Sequence, residues 1–147
     1  MKTQALDNGT TSYLIVLDAG DELMASLLAF AHEHAEGRLV DFTGVGAISS
    51  AHLLAFDLES KQYQTSAVID EQAEIASLIG NIGQYEEDRL VHAHVVVGLR
   101  DGRAFGGHVK ELHARPTCEI VARVHDREAI KRMDPQWNAP LYKLAQS

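Results

Sequence analysis

Three histidines carry the residue types and spacing for metal chemistry. His92 and His94 flank Ala93 and precede Val95-Val96-Val97. That apolar, β-branched run reads as a strand, in which positions i and i+2 face the same way, so both imidazoles project together. His108 lies on the next strand, after Gly106-Gly107. Its face depends on the turn between the strands. A strict two-residue turn at Asp101-Gly102 pairs position 94 with 109 and sends His108 to the opposite face. A three-residue turn over 100–102, with Gly102 left-handed, pairs 94 with 108 and unites the three rings. Gly106-Gly107 can also adjust the register through a bulge. Three neutral imidazoles on one rigid face suit Zn²⁺ or another divalent transition metal, at ~2.0–2.1 Å from each nitrogen, with a fourth position open. Glu74 is a candidate neighbour for that position. The same spacing is also compatible with three ordinary half-buried sheet histidines.

The remaining chemistry-bearing residues form no competing motif. His32 and His34 sit at i, i+2 on a helix and cannot converge. His52, His113 and His125 read as surface or core-edge residues. The His-x-Glu and Pro-Cys-x-x-Cys pair of a zinc deaminase is missing, and Val95 to Arg100 holds no carboxylate of the kind that follows His-x-His in a cupin site. The sequence has no Gly-x-Ser-x-Gly elbow, P-loop or Gly-x-Gly-x-x-Gly. Cys118 follows Pro116-Thr117 in a strand-like run and reads as structural, not nucleophilic.

The elements that must position the histidines are legible in the hydrophobic periodicity. Tyr13-Leu14-Ile15-Val16-Leu17 reads as a buried strand. Asp18 to Asp21 reads as a helix start, and Leu23, Leu27, Phe30, Ala31 and His34 form the core-facing stripe of a helix over about 22–36, stopped by Gly37. From there the period changes to two. Strands are expected near 40–48, 52–58, 62–69, 73–80, 91–98, 103–110 and 117–125, joined by short connections that favour antiparallel pairing. Residues 127–147 read as an irregular tail over a surface or a neighbouring subunit. The expected fold is α+β: a mainly antiparallel sheet around one helix, in a single domain spanning 1–147 with its core over about 10–126.

Bulk properties narrow the function. At 147 residues, 46% hydrophobic and 23% charged, the composition is that of a globular domain. No apolar run approaches a membrane span, and the first residues lack a secretory h-region. With a single cysteine, a cytoplasmic location is the expectation. Thirteen basic against 21 acidic residues give a net charge of −8, which argues against nucleic acid as the partner in a large contact.

The order of segments resembles the plant- and prokaryote-conserved (PPC) domain family, in its stand-alone prokaryotic form. Thr11 to Glu22 is similar to the family's opening strand and helix entry. Gly44-Val45-Gly46-Ala47-Ile48-Ser49-Ser50-Ala51 resembles its central glycine-rich strand, and Glu74-Ile75-Ala76-Ser77-Leu78-Ile79-Gly80-Asn81-Ile82 the strand after it. His92-Ala93-His94-Val95 with Gly102 through Gly106-Gly107-His108 resembles the closing hairpin, and Pro116-Thr117-Cys118-Glu119 the last strand. The resemblance covers about residues 10–125. It implies a curved sheet packed with a helix and assembled as a homotrimer, and it favours a metal or small-ligand site at His92, His94 and His108. Plant members add an Arg-Gly-Arg-Pro hook for the minor groove. Neither Gly102-Arg103-Ala104 nor Ala114-Arg115-Pro116 is that element. The function expected is a homotrimeric binding or regulatory module with a His-rich site for a metal or small ligand, and with a small ligand or a protein as its partner. A DNA-associated regulator and a small metal-dependent enzyme are the alternatives.

Overall fold

The computed structural model describes residues 2–7 and 10–143. The chain order is β1 (Lys2–Asp7), β2 (Thr11–Leu17), α1 (Leu23–His34), β3 (Arg38–Asp57), β4 (Gln62–Ile69), β5 (Ala73–Tyr85), β6 (Asp88–Gly98), β7 (Ala104–Glu128), β8 (Ile130–Asp134) and β9 (Ala139–Tyr142). This is the expected α+β class, a curved and mainly antiparallel sheet with one helix. The expected strands at 40–48 and 52–58 are one strand, β3, and those at 103–110 and 117–125 are one strand, β7. Local signals such as Ser49-Ser50 and Arg115-Pro116 resemble breaks. The chain absorbs them as register irregularities, which lie in the β3–β7 ladder between Gly46 and Ile48, Ile48 and Ser50, and His52 and Leu53.

β3 and β7 pair along most of their length. β5 pairs with the first half of β3, β6 with β5, and the start of β7 with β6, which closes a circuit β3–β5–β6–β7. A curled sheet with alternating side chains has one face to bury. Ala93, Val95 and Val97 of β6, Leu78 and Ile82 of β5, and Ile120, Ala122 and Val124 of β7 point into that core. Each such Val, Leu or Ile contributes about 1.5–3 kcal/mol by leaving water.

The helix covers part of the buried face against β6 and β7. Leu23, Leu27, Phe30 and Ala31 are its core stripe, as the periodicity predicts. It begins within a residue of the expected start. Asp18 to Asp21 is a turn closed by Asp21 N–H donating to the Asp18 carbonyl at 3.1 Å, and Glu22 is the N-cap. Its carboxylate accepts from Met24 N and Ala25 N at 3.0 and 2.6 Å, and from Leu112 N of β7 at 3.2 Å. One side chain thus satisfies the helix start and ties it to the sheet. The helix ends at His34, with Gly37 at φ +86° just beyond.

Three strands were not expected. β1 pairs with β2 at the sheet edge. The segment read as an irregular tail contains a hairpin: β8 pairs antiparallel with β9 and parallel with β5. Asp134 accepts from Gln136 N and Trp137 N, capping the turn, and pairs with Lys143. Among the described residues no helix is long and apolar enough to cross a membrane.

Candidate metal centre

The turn between β6 and β7 decides the site. Leu99 N donates to the Arg103 carbonyl at 2.8 Å, Gly102 N donates to the Leu99 carbonyl at 3.0 Å, and Gly102 has φ +87°. The turn therefore spans residues 100–102, with its glycine in the left-handed region that a side chain disfavours. Asp101 accepts from Arg103 N and Nε at 3.0 and 2.7 Å, which locks the closure. The ladder then runs without a bulge, pairing His94 with His108. Because Ala93, Val95 and Val109 are held in the core, the histidines on either side of them must face outward.

The three rings converge. His92 Nε2 and His94 Nε2 lie 3.2 Å apart, and one nitrogen from each of His92, His94 and His108 lies within 4.8 Å of the others. Tetrahedral zinc with ~2.0–2.1 Å bonds needs its nitrogens ~3.3 Å apart. The first pair already has that separation, and His108 needs only a small approach. Tyr63 of β4 stacks on His108 with centroids 4.4 Å apart and planes at 29°, which fixes the ring. His108 Nδ1 is buried with no hydrogen-bond partner among the described residues, a state that calls for a bound group.

The electrostatics favour the neutral, ligating form of His92 and His108. His108 is pushed down to about 4, first by burial and then by the neighbouring His92, His94 and Lys131. His92 is lowered too, by burial, then Lys131 and His94. Glu74 does not join the group. It stands opposite Gly98, four residues along β6 from His94, or ~13 Å at the strand rise.

The β8–β9 hairpin and β4 build walls that the sequence did not disclose. A cleft of about 500 Å³ beside the triad is lined by Leu54, Phe56, Leu58, Tyr63, Trp137 and Leu141, among others. A neighbouring cleft joins His92 and His108 to Asn81, Lys131 and Tyr142. Lys131 is only 3% exposed, and its ammonium lies 4.8 Å from the Tyr142 ring centroid. Burial lowers it to about 8. Tyr142 in turn donates to Asn81 Oδ1 at 2.8 Å. On the other side of His94 the outer face continues across the ladder through Ile79, Thr43 and Val121. Ile79 and Val96 are exposed there, as is Val45.

The remaining histidines stay apart from this group, as expected. His32 faces Asp88 at 3.1 Å, His34 packs between Tyr13 and Phe30, His52 contacts Thr65, His113 contacts Glu111 and His125 contacts Asp41. Cys118 is fully buried, and burial pushes its thiol up to about 11, consistent with a structural cysteine.

An antiparallel sheet packed with one helix, carrying an imidazole triad on its outer face, defines a β-rich α+β fold. The profile of the Plants and Prokaryotes Conserved (PCC) domain matches residues 5–126, and the chain belongs to that family. A candidate DNA-binding protein from Bacteroides thetaiotaomicron superposes with a TM-score of 0.85 at 26% identity, covering 96% of each chain. The protein from Archaeoglobus fulgidus described as metal-containing gives 0.83 at 26% identity over 97% of each chain. A candidate DNA-binding protein from Ralstonia eutropha gives 0.85 at 27% identity, covering 98% of this chain and 96% of its own. Among curated proteins, none matches at a significant level.

Proposed function

We propose that this chain is a homotrimeric binding or regulatory module whose His92, His94 and His108 hold a zinc-like divalent metal. The observation that carries the reading is the convergence of three imidazole nitrogens within 4.8 Å, with burial favouring the neutral form of His92 and His108. The Archaeoglobus neighbour described as metal-containing supports it. Bound there, the metal would supply a Lewis-acidic position open to a fourth ligand. The exposed Val45, Ile79, Val96 and Val121 of the outer face support assembly, since apolar patches of this kind mark contact surfaces.

Elemental analysis tests the metal, comparing wild type with a His92→Ala, His94→Ala double variant. Metal in the wild type and its loss in the variant is the expected result. Equal content in both, or none in wild type after incubation with Zn²⁺, refutes it. Sedimentation tests the assembly, with three times the 16.1 kDa chain mass expected and a concentration-independent monomer refuting it.

The names of the Bacteroides and Ralstonia neighbours favour a second reading, a DNA-associated regulator. The net charge of −8 opposes it, because non-specific affinity scales with the phosphates neutralised. Weak or no binding to random duplex at physiological salt is expected. Submicromolar binding would establish the second reading.

A further inference from the structure

We propose that the cleft between the histidine triad and the β8–β9 hairpin binds a small monocarboxylate with a short apolar tail. One of its head-group contacts rests on the metal reading above. The other head-group contact and the tail contact do not.

The first observation is Lys131. It is 3% exposed, and no carboxylate among the described residues pairs with its ammonium. The Tyr142 ring face is its neighbour at 4.8 Å. A buried cation without a counter-ion is costly, and a seated anion turns that cost into a charge-assisted hydrogen bond. Lys131 lines the same cleft as His92 and His108. In that cleft a carboxylate would take the ammonium with one oxygen, leaving the other for a metal held by the triad. The orphaned Nδ1 of His108 is a second polar group in the site awaiting a partner.

The second observation is the wall. Leu54, Phe56, Leu58, Trp137 and Leu141 line the adjoining cleft of about 500 Å³, which shares His92, His108 and Leu141 with the one that Lys131 lines. Leu58 is 66% exposed and Leu141 39% exposed, so apolar surface stands ready to be covered. An apolar wall beside one cation selects an anion with a hydrocarbon body. A phosphate or polyphosphate would keep its hydration and leave the wall uncovered. The same hairpin supplies Lys131 on β8 and Leu141 on β9, so head and tail contacts come from one element.

The test is calorimetric titration of acetate, butyrate and hexanoate into wild type, Lys131→Met and Leu141→Ser, each metal-free and zinc-incubated. Hexanamide is the neutral control and inorganic phosphate the competitor. Affinity should rise about tenfold for every two methylenes added. Lys131→Met should weaken hexanoate about 10- to 100-fold in both preparations while leaving hexanamide and zinc content unchanged. Leu141→Ser, at a half-exposed position, should blunt the chain-length gain. Circular dichroism establishes that both variants fold. No heat with hexanoate, equal affinity for acetate and hexanoate, full hexanoate affinity in Lys131→Met, or equal displacement by phosphate each overturns the proposal. Failure of wild type to take up zinc, with Lys131-dependent hexanoate binding retained, removes the metal reading and supports this one.

Discussion

His108 should make the metal-free protein acid-sensitive in a defined window. Its ordinary value is 6.5 and in the fold it is pushed down to about 4. Above pH 6.5 the ring is neutral both folded and unfolded, and it contributes nothing to pH dependence. As pH falls from 6.5 towards 4, the unfolded chain takes up a proton that the folded chain refuses, so stability is lost. Below about 4 both states are protonated and the loss levels off. At about 1.4 kcal/mol per pH unit the ceiling is about 3 kcal/mol, and partial solvent access to the ring trims it towards about 2 kcal/mol. His92 is displaced in the same direction and adds to the effect. The perturbation is His108→Phe. It keeps an aromatic ring to stack on Tyr63 and removes both the proton site and the orphaned Nδ1. The assay is urea denaturation after chelator treatment, at one protomer concentration, at pH 7.5, 5.5 and 4.5. At pH 7.5 the variant should equal or exceed wild type. Between pH 7.5 and 4.5 it should lose about 2 kcal/mol less than wild type. Parallel losses in the two proteins would refute the argument that this ring is held neutral by its surroundings.

Two glycine substitutions should separate conformational cost from steric cost. A Cβ on Gly102 meets nothing within 4 Å, so Gly102→Ala should cost only the left-handed backbone, about 1 kcal/mol, with Gly102→Val costing more. A Cβ on Gly46 falls 2.4 Å from the Thr117 carbonyl oxygen and 2.7 Å from Cys118 Cα. Gly46→Ala should therefore cost about 3 kcal/mol or prevent folding, and urea midpoints that rank the two alanine variants the other way would contradict the structure. Cys118 should resist a thiol-specific chromogenic reagent at pH 8 in native protein and react fully in urea, because burial holds its thiol at about 11. Rapid native modification would show that β7 opens locally.

What the sequence determined about this protein was set by short-range geometry. A strand alternates with period two whatever surrounds it, so His92 and His94 had to share a face, and Val95 and Val97 had to oppose them. The Leu23, Leu27, Phe30, Ala31 stripe likewise committed one helix to the core. The ordered segments from Thr11 to Glu119 carried the family as well. The position of His108 was legible only as a choice between two registers. The three-residue turn at 100–102 selected one of them, stabilised by Val109 in the core and by Asp101 on Arg103. Continuity of β3 and β7 depended on tertiary structure, because a local break such as Ser49-Ser50 becomes an irregularity in a strand when both neighbours supply ladder hydrogen bonds. The β8–β9 hairpin and the burial of Lys131 could not be read locally either. Ile130-Lys131-Arg132-Met133-Asp134 looks like a solvated segment until β5 pairs with it and Tyr142 covers the ammonium. The burial of a charge is decided by what packs over it, and here the cover comes from β5 and from Tyr142 across the hairpin.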